Sequence, residues 1–156
     1  MPRRIARLEM DVLVVRGTIS LFDDGGEQIV PDLNDLDQWL FTGDNAIVAA
    51  SAGSTDHFAA VAIEAWDGEP PGSGPAWEVQ ADRTLRLGSG DLEVHPLVPP
   101  PGTQLLRAGP PGPYRLRAYT AGRAAIAALT PNPDIYALRG VERFLFQLWP
   151  DSHRSA

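Results

Sequence analysis

Two groups of residues in this chain could do chemistry by type and spacing. The first lies in PYRLRAYTAGR, residues 113–123, where Arg115, Arg117 and Tyr119 fall on alternate positions. Alternate positions of a strand point to one face of a sheet. Two guanidiniums and a phenol on one face could bind a carboxylate or a phosphate, because arginine offers parallel N–H donors. The same residues could instead form the wet side of a sheet, paired with acids on neighbouring strands such as Glu142 or Glu78. Exposed pairs of that kind contribute ~0–1 kcal/mol each. The second group is Trp39 and Phe41 among Asp32, Asp35, Asp37 and Asp44. Aromatic anchors ringed by charge suit a protein-binding surface. The alternative is that Trp39 plugs one end of the fold and the carboxylates are merely solvated.

Other chemistry finds little support. His57 opens an apolar stretch, His95 closes a short one and His153 lies in the tail, so no pair has helical metal-ligand spacing. There are no cysteines, which excludes disulfides, thiolate metal sites and cysteine nucleophiles. No G-x-S-x-G elbow occurs. The GSG triplets at 72–74 and 88–90 read as turns, since no helix start follows them. DLNDLD at 32–37 has the oxygen donors of a calcium loop but lacks its glycine and distal glutamate. The expectation is a non-enzymatic chain with no cofactor and no metal.

The elements that must position these residues are mostly strands. Leu8–Val15 alternates, with Leu8, Met10, Val12 and Val14 on the buried side, and Gly17 breaks it. Thr18–Phe22 follows, then the turn signal DDGG. Residues 27–45 form a long connection that could hold one or two helical turns, capped by Asn34 or Asp35, with Leu36, Trp39 and Leu40 as the apolar face. Ala46–Ala50 and His57–Trp66 are apolar on both faces, as inner strands are. A proline- and glycine-rich loop at 67–75 leads to a long alternation in which Trp77, Val79, Ala81, Leu85 and Leu87 share one side, interrupted by Arg83. Leu92–Pro96 and Gln104–Arg107 flank the stiff stretch 96–102. Tyr114, Leu116 and Ala118 face inward between the arginines. Arg123–Leu129 reads as a short helix, and Val141–Trp149 as a central strand stopped by Pro150. Eight to ten short strands with little helix indicate an all-β fold, a two-layer β-sandwich spanning one domain, 1–156; a barrel is the second choice.

The net charge of −7 is unevenly spread. Residues 8–82 hold fifteen carboxylates against Arg16 alone, whereas 83–156 carries a balance of +4 and the first seven residues +3. Either the two halves neutralise each other across the fold, or an acidic face awaits a basic partner. A concentrated basic patch is missing, so nucleic acid is not the expected partner. No apolar run approaches the ~20 residues of a membrane span, and the basic N-terminus has no signal-peptide core; a cytoplasmic location is expected. All thirteen basic residues are arginine, which reads as the coding bias of a GC-rich bacterial genome.

GPYRLRAYTAGR followed by VERFLFQLWP resembles a bacterial family of small β-rich proteins related to competence protein J, the inhibitor of the DNA-entry nuclease; many actinobacterial members share this pattern. The resemblance rests on a G-x-Y-R-x-R strand (Gly112, Tyr114, Arg115, Arg117) and a closing strand ending in Gln147, Trp149 and Pro150, and covers roughly residues 46–150. It implies an inhibitor or immunity-type protein acting on a nuclease or toxin. Its matching residues are strand residues, so no binding residue carries over. The resulting expectation is a protein-binding module whose contacts are Trp39, Asp32, Asp35, Asp37 and Asp44. The competing readings are a sandwich binding an anionic small molecule through Arg115, Arg117 and Tyr119, and an accessory subunit of a larger assembly.

Overall fold

The computed structural model describes residues 1–95 and 105–152. The stretch 96–102, Gln104 and His153 lie outside the described residues. In chain order the elements are β1 (Arg4–Val14), β2 (Thr18–Phe22), β3 (Leu40–Gly43), β4 (Ala46–Ala50), β5 (His57–Trp66), β6 (Val79–Leu87), β7 (Asp91–His95), β8 (Leu105–Arg107), β9 (Gly112–Ala121), α1 (Arg123–Leu129) and β10 (Arg139–Pro150). They form two five-stranded sheets, ordered β1-β5-β10-β9-β6 and β3-β4-β2-β7-β8. The fold is an all-β sandwich, as the alternation predicts.

The core lies between the sheets. Val12 and Val14, Val61 and Ile63, Leu116 and Ala118, and Phe144, Phe146 and Leu148 face inward from the first sheet; Ile19, Leu21, Leu40, Ile47, Leu92 and Val94 meet them from the second. Each large side chain buried this way contributes ~1.5–3 kcal/mol relative to exposure. β10 sits third of five and pairs parallel with β5 and antiparallel with β9, which accounts for its apolar residues on both faces. At one side of the sandwich β6 approaches β3, where the Thr42 hydroxyl donates to the Thr84 carbonyl (3.2 Å) and the Asn45 amide to that of Arg86 (2.9 Å).

Two expectations about local structure are corrected. The 27–45 connection forms no helix. Asp32 accepts from the Asn34 amide (2.9 Å) and Asp35 from the Asp37 amide (3.1 Å), so both side chains close local turns that compete with helical hydrogen bonds. Leu40–Gly43 instead becomes β3, paired with β4. Trp77 does not share the inward side of Leu85 and Leu87. It precedes β6 and packs on the outer face of the first sheet with Ala62, Tyr119 and Leu145, because the 67–78 loop carries it there before the strand begins.

A buried carboxylate locks the DDGG turn. Asp23 accepts from the Ser89 hydroxyl (2.6 Å) and from the amides of Gly25 (2.7 Å), Ser89 (3.0 Å) and Gly90 (2.8 Å). Burial alone would raise its pKa; these hydrogen bonds outweigh burial and hold the carboxyl below its ordinary value. The two turns approach so closely that a Cβ on Gly25 would lie 2.6 Å from Ser89.

Candidate functional site

The first sheet answers whether the arginine stripe is a free site. The pairing register sets Arg7, Glu64, Gln147, Arg117 and Asp82 in one row across β1, β5, β10, β9 and β6. Arg7 and Arg4 pair with Glu64, which also accepts from Gln147 Nε2 (3.0 Å) and Trp66 Nε1 (2.9 Å). Burial pushes the Glu64 pKa up, but the Gln147 and Trp66 hydrogen bonds and the charges of Arg7 and Arg4 outweigh it, and the carboxyl sits below its ordinary range. Arg117 pairs with Asp82 (3.0 Å) and Glu69 (3.3 Å) and lies over the Trp149 ring (5.4 Å). Those acids hold its pKa above the ordinary value although burial opposes them. Tyr119 is buried, and its hydroxyl accepts from the Ser73 amide (3.3 Å) under the 67–78 loop. Arg117 and Tyr119 are therefore engaged within the protein. Arg115 lies over Trp149 (5.8 Å) and forms no ion pair among the described residues. The acids that Arg117 meets are Asp82 and Glu69, not Glu142 or Glu78.

The 24–44 region is built differently. Its start is tied to the β3–β4 hairpin: the Ile29 amide donates to the Asp44 carbonyl (2.9 Å) and Asn45 Nδ2 to that of Glu27 (2.8 Å). Gly43 has no room for a Cβ, which would collide with the Ile29 carbonyl. Its end is held by Arg83, which donates to Gln38 Oε1 (2.8 Å), and by Trp39, whose carbonyl accepts from the Ala50 amide (2.7 Å). Arg83 thus interrupts the inward side of β6 because it reaches out to this strap. Asp32, Asp35, Asp37 and Asp44 are all exposed, as are Ile29, Val30, Leu33 and Leu36, the last at 94%. Among the described residues, Asp24, Glu27, Asp32, Asp35, Asp37 and Asp44 form no ion pair.

Trp39 departs from the expected arrangement. It is 8% exposed and packs against Phe144, ring centroids 6.1 Å apart. Its place in the core leaves no exposed indole for a partner to grip; Trp39 anchors the end of the strap. Three of the four aspartates share the strap, and Asp44 stands at the adjoining hairpin tip.

Sequence reasoning missed one constellation. Ser51, His57 and Glu142 converge beneath the 51–56 loop. The Ser51 hydroxyl donates to Glu142 Oε1 (2.6 Å), accepts from the Gly53 amide (2.9 Å) and stands 3.1 Å from His57 Nε2. Glu142 Oε2 accepts from the Ala52 amide (2.9 Å), and His57 Nε2 lies 3.4 Å from Glu142 Oε1. The triad logic of a serine nucleophile needs the carboxylate on the imidazole nitrogen opposite the hydroxyl. Here serine and carboxylate crowd the same nitrogen, Nδ1 has no hydrogen-bond partner among the described residues, and the serine proton is directed at the carboxylate. His57 and Glu142 are fully buried, so the arrangement fastens the loop to β10. The available signal was phase: Glu142 shares the inward side of β10 with Phe144 and Phe146. Among the described residues, no three His, Asp or Glu side chains are placed to hold a metal ion. Nor is any helix there long and apolar enough to cross a membrane.

No protein-family model matches the sequence, and no curated protein matches it. Solved structures do share the architecture. ComJ from Bacillus subtilis, inhibitor of the DNA-degrading activity of NucA, superimposes with a TM-score of 0.56 at 12% identity, over 97% of this chain and 99% of that one. The crocagin biosynthetic gene J protein does so with a TM-score of 0.58 at 17% identity, over 94% and 99% of the two chains. At such identities the likeness establishes a common fold.

Proposed function

We propose that the protein is a non-catalytic inhibitor or immunity-type protein, which occludes a nuclease- or toxin-like partner with its acidic strap. The observation that carries this reading is the contrast in pairing: carboxylates on the first sheet meet arginines, whereas those of 24–44 are left exposed beside Leu33 and Leu36. Unpaired charge on a surface steers association with an oppositely charged partner, and exposed apolar side chains supply area to bury once contact is made. The contact residues are Asp32, Asp35, Asp37 and Asp44 with Leu33 and Leu36. A fold shared with a nuclease inhibitor supports the same reading.

The test compares the wild type with a variant carrying Asp32→Asn, Asp35→Asn, Asp37→Asn and Asp44→Asn. Affinity capture from the native cells followed by a DNA-degradation assay should yield a nuclease that the wild type silences. The variant should associate about tenfold more slowly at low salt, and high salt should narrow the gap. Capture of a nuclease that the variant binds at the wild-type rate would remove the strap from the interface. Recovery of no nuclease or toxin would overturn the reading.

A further inference from the structure

The outer face of the first sheet carries a groove of about 500 Å³, away from the strap. Ala60 and Ala62, alternate residues of β5, form its floor. Arg7, Glu9 and Asp11 of β1 make one rim; Arg143 of β10 and Trp77 make the other. The depression exists because two alanines sit between strands bearing long side chains. Its size lies within the ~300–1,000 Å³ typical of small-molecule sites.

The charges around it are balanced with one exception. Arg7 pairs with Glu9 and Glu64, and Asp11 pairs with Arg139 (3.2 Å). Arg143 meets no carboxylate among the described residues. Its guanidinium lies over the Trp77 ring (4.9 Å) and donates through Nη2 to the Ala76 carbonyl (3.1 Å). Stacking and that bond hold the group in place, and a guanidinium has five N–H donors, so donors remain for a ligand. A cation fixed at the rim of an apolar floor recognises an anion attached to an apolar body.

We propose that this groove binds a small amphipathic carboxylate. Its apolar body rests on Ala60 and Ala62 against Trp77, and its carboxylate accepts two N–H bonds from Arg143. Glu9 stays with Arg7 on the β1 rim and Asp11 reaches across to Arg139 of β10, so neither of those arginines competes with Arg143 for the carboxylate. The site is separate from the strap, so it stands or falls independently of the inhibitor reading. It also differs from the expected anion site: the stripe residue Arg117 is consumed by its own acids, whereas Arg143 stands at the groove and meets no carboxylate among the described residues.

The probe is 2-naphthoate, with the neutral 2-naphthamide as control, titrated into the 15N-labelled protein. Saturable shifts are expected at the amides of Ala60, Ala62 and Arg143 and at the Trp77 indole. Naphthoate should bind about tenfold more tightly than the amide, as a charge-assisted pair implies. Arg143→Gln should erase that preference, and Ala60→Leu should fill the groove and weaken both probes, which keeps the test valid if one variant folds poorly. Shifts scattered over other surfaces, absence of saturation, equal affinity for the two probes, or a preference that survives in Arg143→Gln would each overturn the proposal.

Discussion

Carboxylates are dense both on the outer face of the first sheet and along the 24–44 strap, but they do different things in the two places. On the sheet, strands lie side by side in fixed register, so an acid on one strand is directly opposite a residue of another. Glu64 meets Arg7 and Gln147 there, and Asp82 meets Arg117. On the strap the arginine supplied by β6, Arg83, bonds Gln38 rather than a carboxylate, and Asp32 and Asp35 turn to amides two residues further along their own chain. Charge bound into a lattice is structural. Charge left on a strap held at its two ends is available to another molecule.

The largest expected effect tests the sheet side of that contrast. Glu64→Ala removes the one acceptor shared by Arg4, Arg7, Trp66 and Gln147 and should cost about 2–4 kcal/mol in urea unfolding. That is the low side for breaking a buried pair, because both arginines still reach water. Retention of wild-type stability would mean the row across the sheet is ornamental.

Asp23→Ala should cost about 2–3 kcal/mol, since it strips the charged acceptor from four donors that join the 23–26 and 88–90 turns. Both Asp23 and Glu64 have folded-state pKa values below their ordinary ones. Their stabilisation is therefore fully present above the unfolded carboxylate values, about pH 4, and is lost as pH falls through the lower folded values. Asp23→Asn and Glu64→Gln should flatten the acid limb of a stability–pH curve. An unchanged slope would show that other groups govern acid unfolding.

What the sequence revealed, and what it hid, follows the range of the interactions. Alternation is a local property, and it correctly places Leu116 inside, Arg115 and Arg117 outside, and Phe144, Phe146 and Leu148 in the core. Partners depend on strand order. Arg117 was visible as an outward cation, but its acids became identifiable only once β6 lay beside β9. Ser51 and Glu142 stand 91 positions apart and meet only through the sandwich. Trp77 was assigned to the wrong side because a proline- and glycine-rich loop resets the phase of the strand it precedes. Trp39 showed the ambiguity of an aromatic among acids, since its type fits an interface and a core equally well.

The strap side is tested by effects that should be small. Converting Asp32, Asp35, Asp37 and Asp44 together to asparagine should change stability by less than about 1 kcal/mol, because none of the four forms an ion pair among the described residues. A larger loss, measured by the same urea titration as Glu64→Ala, would erase the distinction between the two regions.

Leu36→Ser should be the mildest change for the fold and the sharpest for the comparison. Leu36 is 94% exposed, so its removal leaves no cavity and should shift stability by less than about 0.5 kcal/mol. Aspartates on the same strap act at a distance and set how fast a partner arrives; an apolar side chain acts only in contact and sets how long it stays. Leu36→Ser should therefore leave the association rate near wild type and raise the dissociation rate, whereas the aspartate variant should do the reverse. Surface plasmon resonance with the captured partner separates the two. Equal dissociation rates for Leu36→Ser and wild type would place the contact elsewhere on the molecule, even if the acids still guide the approach.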